Sequence, residues 1–353
     1  MNATRQAMPA AFDIQPLQDL DRGAWDSFVR THPQGTFFHL SGWQRVLKRA
    51  FGHRSYYLVA RQDANIVGVL PLARVKSLLF GDALISTPFC VYGGAVGTPQ
   101  AVIALEDHAA ALARELQVDH LELRNRAVTR AAADAWPVKE LYVTFRRSLD
   151  PDPEKNLAAI PRKQRAEVRA GLKNLLQTEF DSNTRRFFDI YSRSVRALGT
   201  PVFARRYFDV LREEFGADCE IATVIHEGRP LASLMTFWFR NEVLPYYGGG
   251  LPAARGLSGY DYLYWDLMCR AVQRGCQIYD FGRSKLDTGP FKYKKHWGFE
   301  PEPLPYAYHL VRRTTLPNLS PTNPKYHRAI EAWKRLPLPV TQWVGPWFAR
   351  YLG

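Results

Sequence analysis

Residues 246–282 read YYGGGLPAARGLSGYDYLYWDLMCRAVQRGCQIYDFG. Three consecutive glycines close an apolar, aromatic run, and a polar glycine-bearing loop follows. The stretch YDYLYWDLMCRAVQRG (260–275) then repeats apolar residues at helical spacing. Leu263, Leu267 and Ala271 share one face with Tyr264, Met268 and Val272 beside them, which predicts an amphipathic helix. QIYDFG (277–282) closes the unit as a short strand. A strand, a crossover helix and a strand in that order predict an α/β layer rather than a bundle or a sandwich.

Upstream, CEIATVIHEGRPLASLMTFWFR (219–240) reads as strand, turn at Gly228-Arg229-Pro230, strand, with EVLPYYGGGL (242–251) as a third strand. The same layout occurs about 155 to 165 residues earlier. SYYLVARQDANIVGVLPL (55–72) makes a hairpin, and DALISTPFCVYGGAV (82–96) a third strand ending in Gly93-Gly94. VIALEDHAAALARELQ (102–117) is the helix and HLELR (120–124) the closing strand. Two matched halves predict a duplicated α/β domain. SLDPDPEKN (148–156) reads as a proline-broken linker, and IPRKQRAEVRAGLKNLLQ (160–177) as a basic helix with Pro161 near its first turn. The expected boundaries are 10–148, 149–311 and a proline- and tryptophan-rich tail, 312–353, packing back on the first half. Prolines 337, 339 and 346 are expected to break any long amphipathic helix there.

The chain has 353 residues and a net charge of +13, which favours anionic partners: nucleic acid, phospholipid or phosphorylated metabolites. Its four cysteines, Cys90, Cys219, Cys269 and Cys276, form no CxxC pair, which argues for reduced thiols in the cytoplasm and against a structural zinc. No apolar run approaches a membrane span. The opening MNATRQAMPAAF has no apolar signal core and is expected to be retained.

GPFKYKKHWGF (289–299) interleaves three lysines and a histidine with four aromatics between a Gly-Pro break and a second glycine. It reads as a lysine-aromatic loop. Arg162, Arg165, Arg169 and Lys173 recur at i, i+3, i+7 and i+11, so the basic helix should present one cationic strip to a diphosphate or an RNA backbone. Asp280 and Arg283 stand at the end of the closing strand, where α/β folds gather ligands. There, Asp280 has the chemistry of a base or orienting group, and Arg283 that of a phosphate clamp.

The basic helix, the 246–282 stretch and GPFKYKKHWGF followed by EPLPYAYHLV (302–311) together resemble the FemAB-like transferases, most closely those accompanying bacterial exosortase (PEP-CTERM) and exopolysaccharide systems. The resemblance implies an α/β (α+β) fold of two tandem GNAT-like domains, each a mixed twisted sheet flanked by helices. It implies transfer of an activated acyl or aminoacyl group to an amine of a cell-envelope or exopolysaccharide precursor. The family's Phe-Lys pair matches Phe291-Lys292, making Lys292 the expected catalytic cation; Asp280, from its place at the strand end, is the second expected catalytic group. Phe291, Arg283, Tyr247, Tyr293, Arg162, Arg165 and Arg169 are the expected substrate contacts. No cofactor is expected to stay bound. The donor, aminoacyl-tRNA or acyl-CoA, comes as co-substrate, and AARGLSGYDY (253–262) lies out of register with the usual CoA pyrophosphate loop. Expected partners are that anionic donor, the saccharide or envelope acceptor and, through the tail, the inner-membrane surface, with no DNA. The alternatives are an RNA-binding module without catalysis and a silent scaffold of a polysaccharide assembly.

Overall fold

The computed structural model describes residues 12–130, 134–317 and 327–352; the amino-terminal stretch read as retained and the proline-rich 318–326 lie outside them. The described residues divide into two compact units. The first comprises those up to Leu47, His53–Lys139 and Pro305–Leu316; the second comprises Lys48–Gly52, Glu140–Leu304 and those from Pro317 on.

The first unit begins with β1 (Asp13–Pro16), α1 (Arg22–Thr31) and most of α2 (Gly42–Phe51). The short β2 (Arg54–Ser55) precedes the hairpin β3 (Leu58–Gln62) and β4 (Asn65–Leu70). Then come β5 (Leu72–Ser77), β6 (Gly81–Ser86), β7 (Val96–Gly97), α3 (Pro99–Glu115), β8 (His120–Arg124) and β9 (Val138–Lys139). One sheet has the order β1-β3-β4-β7. In the other, β6 and β8 run parallel, joined by α3. Thr98 caps α3 by accepting from the Ala101 N–H, and Leu105, Ala109 and Ala113 bury its inner stripe. The third strand expected over 82–96 stops at Ser86. Thr87 (φ 39°) and Phe89 (φ 70°) turn the chain through left-handed backbone that no strand tolerates.

The second unit opens with β10 (Tyr142–Ser148), α4 (Pro153–Ala159), α5 (Arg162–Lys173), β11 (Gln177–Phe180), α6 (Arg185–Ala197) and α7 (Arg205–Phe215). The strands β12 (Cys219–His226), β13 (Arg229–Phe239) and β14 (Glu242–Gly250) follow, then α8 (Ala253–Gly256), α9 (Gly259–Gln273), β15 (Ile278–Asp280), β16 (Ser284–Lys285), α10 (Gly289–His296) and β17 (Pro301–Pro303). The sheet order is β11-β12-β13-β14-β15-β10-β16, with β17 on β10. Glu227 (φ 49°) and Gly228 (φ 72°) form the two-residue turn between β12 and β13. One core runs from Phe145 and Leu157 through Val224, Leu234 and Trp238 to Leu263, Leu267, Tyr279 and Trp297.

Three expectations about organisation change. The second unit starts at Glu140, because β10 pairs with β15, β16 and β17. SLDPDPEKN is therefore internal to it: Asp152 caps α4, and the Asn156 side chain bonds the backbone of Asp150 on both sides. EPLPYAYHLV is divided, since Pro305 offers no N–H to carry the β17 ladder onward. Its first part is β17, whereas β18 (Tyr306–Leu310) lies in the first unit between β8 and β9. Finally, the tail forms α11 (His327–Arg335) and α12 (Leu338–Ala349), which pack on α6 of the second unit rather than on the first half. Pro339 sits in the first turn of α12, where a missing N–H costs nothing. Pro346 is accommodated inside the helix.

Candidate active site

The parallel strands β14 and β15 pair only at Glu242↔Ile278 and Val243↔Tyr279. β14 then runs on along β13 to Gly250, while β15 ends at Asp280. The pairing thus stops at the carboxyl end of β15, the position where open α/β sheets receive ligands. The glycines of β14 answer to packing. A Cβ on Gly249 would lie 2.9 Å from Tyr191 Cα and Ser194 Cβ of α6, and one on Gly250 would enter the Tyr260 ring. On the α9 side, Tyr264 approaches Gly248 and meets Phe281 edge-on, with centroids 4.8 Å apart.

Asp280 is fully buried at the end of β15. Its carboxylate accepts from Gly282 N–H at 2.8 Å, from Arg146 Nε at 3.2 Å and from Thr144 Oγ1 at 3.4 Å. These contacts make it the anchor of the strand end. The chain then reaches α10, where a loop was expected. Pro290 occupies the first turn, and no breaker follows until Gly298 (φ 78°), so GPFKYKKH closes into a helix. On α10, Phe291, Lys294 and Trp297 fall within one third of the circumference and face inward. Lys292, Lys295 and His296 take the opposite, exposed side.

Lys292, the expected catalytic cation, is thus exposed, and the inward-facing cation of α10 is Lys294. Its Nζ donates to the carbonyls of Gly282 at 2.8 Å and Arg283 at 3.1 Å. It lies 5.5 Å from the Phe145 ring centroid and 5.6 Å from that of Phe281. Burial pulls its pKa from 10.5 down to about 7; the Asp280 carboxylate opposes that fall and the Arg283 guanidinium adds to it.

Phe291 packs edge-on against Phe145 at 5.6 Å. The Arg283 guanidinium stacks over Tyr142, and its side chain is half-buried. Tyr293 donates to Asp261 at 2.8 Å, tying α10 to the start of α9. Tyr247 is not at this site. It is buried among Tyr191, Phe203 and Phe208, with its hydroxyl 2.8 Å from that of Tyr207. The strip on α5 forms as expected: Arg162, Arg165, Arg169 and Lys173 border an open groove of about 520 Å³, and Gln164, Val168 and Gly171 turn inward.

The amino end of α9 does not fit a CoA pyrophosphate. Ser258 precedes the helix in left-handed conformation (φ 53°) and donates its hydroxyl to Glu167 at 2.8 Å. Asp261, in the first turn, accepts from Tyr293 and from the Gln164 amide. Burial raises the Asp261 pKa, with Glu167 adding to it. Two carboxyl groups thus already face the positive end of the helix dipole. Sequence reasoning missed Lys294, Asp261 and Tyr264; a helical phase through 289–298 would have found the first.

Residues 162–295 match the acetyltransferase (GNAT) domain family. No curated protein matches the sequence. Among solved structures, the chain is similar to FemX, with TM-score 0.67 and 15% identity over 90% of this chain and 100% of that one. It is also similar to the tandem GNAT protein from the clavulanic acid biosynthesis pathway (TM-score 0.55, 16% identity, 86% and 100% covered). A third is L-PGS from Bacillus licheniformis (TM-score 0.53, 14% identity, 91% and 98% covered). Residues 162–295 thus resemble a GNAT acetyltransferase domain, and the mixed α/β fold is similar to that of tandem GNAT proteins.

Proposed function

We propose that this protein is a FemAB-like acyl- or aminoacyltransferase, which passes an activated acyl group to an amine of a cell-envelope or exopolysaccharide precursor. One observation carries the reading: the partly buried Lys294 amine, with a pKa of about 7, bonded to the Gly282 and Arg283 carbonyls just beyond the carboxyl end of β15. Neutral Lys294 has two N–H donors, both engaged by the Gly282 and Arg283 carbonyls, which leaves its lone pair available. That lone pair takes a proton from the acceptor's ammonium. The freed amine attacks the acyl carbon, a C–N bond forms, and the carbonyl π pair moves onto oxygen. The third N–H of the resulting ammonium meets this oxyanion. Collapse breaks the bond to the carrier oxygen or sulfur; the second proton of the attacking nitrogen leaves with the carrier, and Lys294 releases the first to water. A base with a pKa near the working pH suits this exchange. The α5 strip supports a phosphate-bearing carrier, and the occupied amino end of α9 argues that such a carrier is gripped at α5 rather than in the usual pyrophosphate loop.

The test compares Lys294→Met with Lys292→Ala in transfer of labelled acyl groups from acetyl-CoA and from aminoacyl-tRNA to extracted envelope precursors. Lys294→Met should lose on the order of 10²–10³ in rate. Lys292→Ala should stay within about threefold, as expected for an exposed side chain. Full activity of Lys294→Met would remove the assignment. The α5 groove also favours a second reading, RNA binding without catalysis. Salt-steep RNA affinity in a protein that transfers from neither donor would select it.

A further inference from the structure

The tail helix α12 has two unlike faces. Thr341, Gly345 and Ala349, four residues apart, are buried against the second unit. A Cβ on Gly345 would stand 3.0 Å from the Val202 backbone, so the approach is close. Gln342 donates to Ser192 Oγ at 2.8 Å, Arg196 to the Leu336 carbonyl at 3.0 Å, and Arg350 to the Phe51 carbonyl. The helix is thus held in place. Its other face presents Trp343 and Trp347, 73% and 66% exposed, beside Val340 at 38%. A folded protein rarely leaves two neighbouring tryptophans in water without a use for them.

We propose that this face is a docking surface for an anionic phospholipid bilayer. The charge of the tail itself favours an anionic partner. Between 327 and 352 the chain carries Arg328, Lys334, Arg335 and Arg350, and Glu331 as its single carboxylate. Glu331 is bonded to Lys334 at 2.7 Å. From Leu338 to Leu352 there is no acid at all. Tryptophan is suited to the level of lipid headgroups, where its ring is buried while its N–H keeps a polar partner. At about 18 Å the helix is too short to cross a hydrocarbon core of roughly 30 Å, so it lies in the interface. A second copy of the chain fits less well. Two tryptophans and a valine offer a few hundred Å², whereas a standard interface needs roughly 800 Å² from each partner. This inference is independent of the acyl-transfer reading.

The experiment uses the full-length protein and co-sedimentation with vesicles of phosphatidylglycerol and phosphatidylethanolamine, against vesicles of phosphatidylcholine alone. The protein should pellet with the anionic vesicles and weakly with the neutral ones. Trp343→Ser/Trp347→Ser should lower partitioning by about tenfold or more, since most of the exposed apolar area is removed. Its thermal melt should be unchanged. If the double variant melts early, Trp343→Ser alone carries the comparison. Arg328→Gln/Arg335→Gln should weaken binding to anionic vesicles only. The proposal is overturned if the protein ignores anionic vesicles or if the tryptophan variant binds them equally well. It is also overturned if light scattering finds a dimer that the tryptophan variant converts to monomer.

Discussion

An amine held at a pKa of about 7 inside a protein costs stability whenever it is charged. In the unfolded chain Lys294 keeps its ordinary value of 10.5. Between about pH 7 and that value, the unfolded state holds a proton that the folded state does not, so stability rises with pH across the window, by up to about 1.4 kcal/mol per unit. Below pH 7 the penalty is present in full. Urea unfolding at pH 6.5, 8 and 9.5 should show this rise in the wild type and lose it in Lys294→Met. Parallel curves for the two proteins would mean that Lys294 is charged and solvated at neutral pH. Transfer should likewise accelerate as pH passes upward through about 7, where the lone pair becomes available. The lysines and rings of 289–299 were legible in the sequence, but which lysine is turned inward was not. A loop has no phase, and only a helix separates Lys294 from Lys292 by burial. The packing of Tyr247 was illegible for a related reason: an aromatic preceding three glycines looks the same whether it faces a cleft or a helix.

For the elements of the second half, periodicity was a sound guide. The hairpin, the third strand and the helix after it lie where alternation and helical spacing put them, because each is buried on the face its apolar residues mark. The glycine triplet was read correctly as the end of a strand, but its cause was out of reach. Adding a methyl at Gly249 would force α6 off the sheet, because backbone and Cβ atoms stand 2.9 Å away with no flexible side chain to yield. Gly249→Ala should therefore cost about 1–3 kcal/mol, measured as a lower urea midpoint at constant m. An unchanged midpoint would show that α6 is free to move. In the first half, left-handed residues at Thr87 and Phe89 end β6 on either side of Pro88, the one breaker in the stretch. Threonine and phenylalanine are ordinary strand formers.

At the scale of the whole molecule, the sheet of the first unit depends on β18, a strand encoded after nearly all of the second. Tyr306 and Tyr308 are buried, and their hydroxyls bond the Val91 carbonyl at 2.5 Å and the Glu122 carboxylate at 2.9 Å. A fragment ending at residue 148, the boundary that the proline-rich stretch suggests, should show no cooperative melt. Appending 305–316 through a glycine linker should restore one. Cooperative unfolding of the bare fragment would show β18 to be dispensable. Distant pairing of this kind has no local signature, since a strand's alternation does not say which sheet will receive it. The arrangement also sets a clock on synthesis. β8 leaves the ribosome some 180 residues before its neighbour does, so at roughly 5–20 residues per second the nascent chain carries an open strand edge for about ten to forty seconds. Throughout that interval its amino-terminal half is a client for chaperones and a target for mispairing between neighbouring polysomal chains.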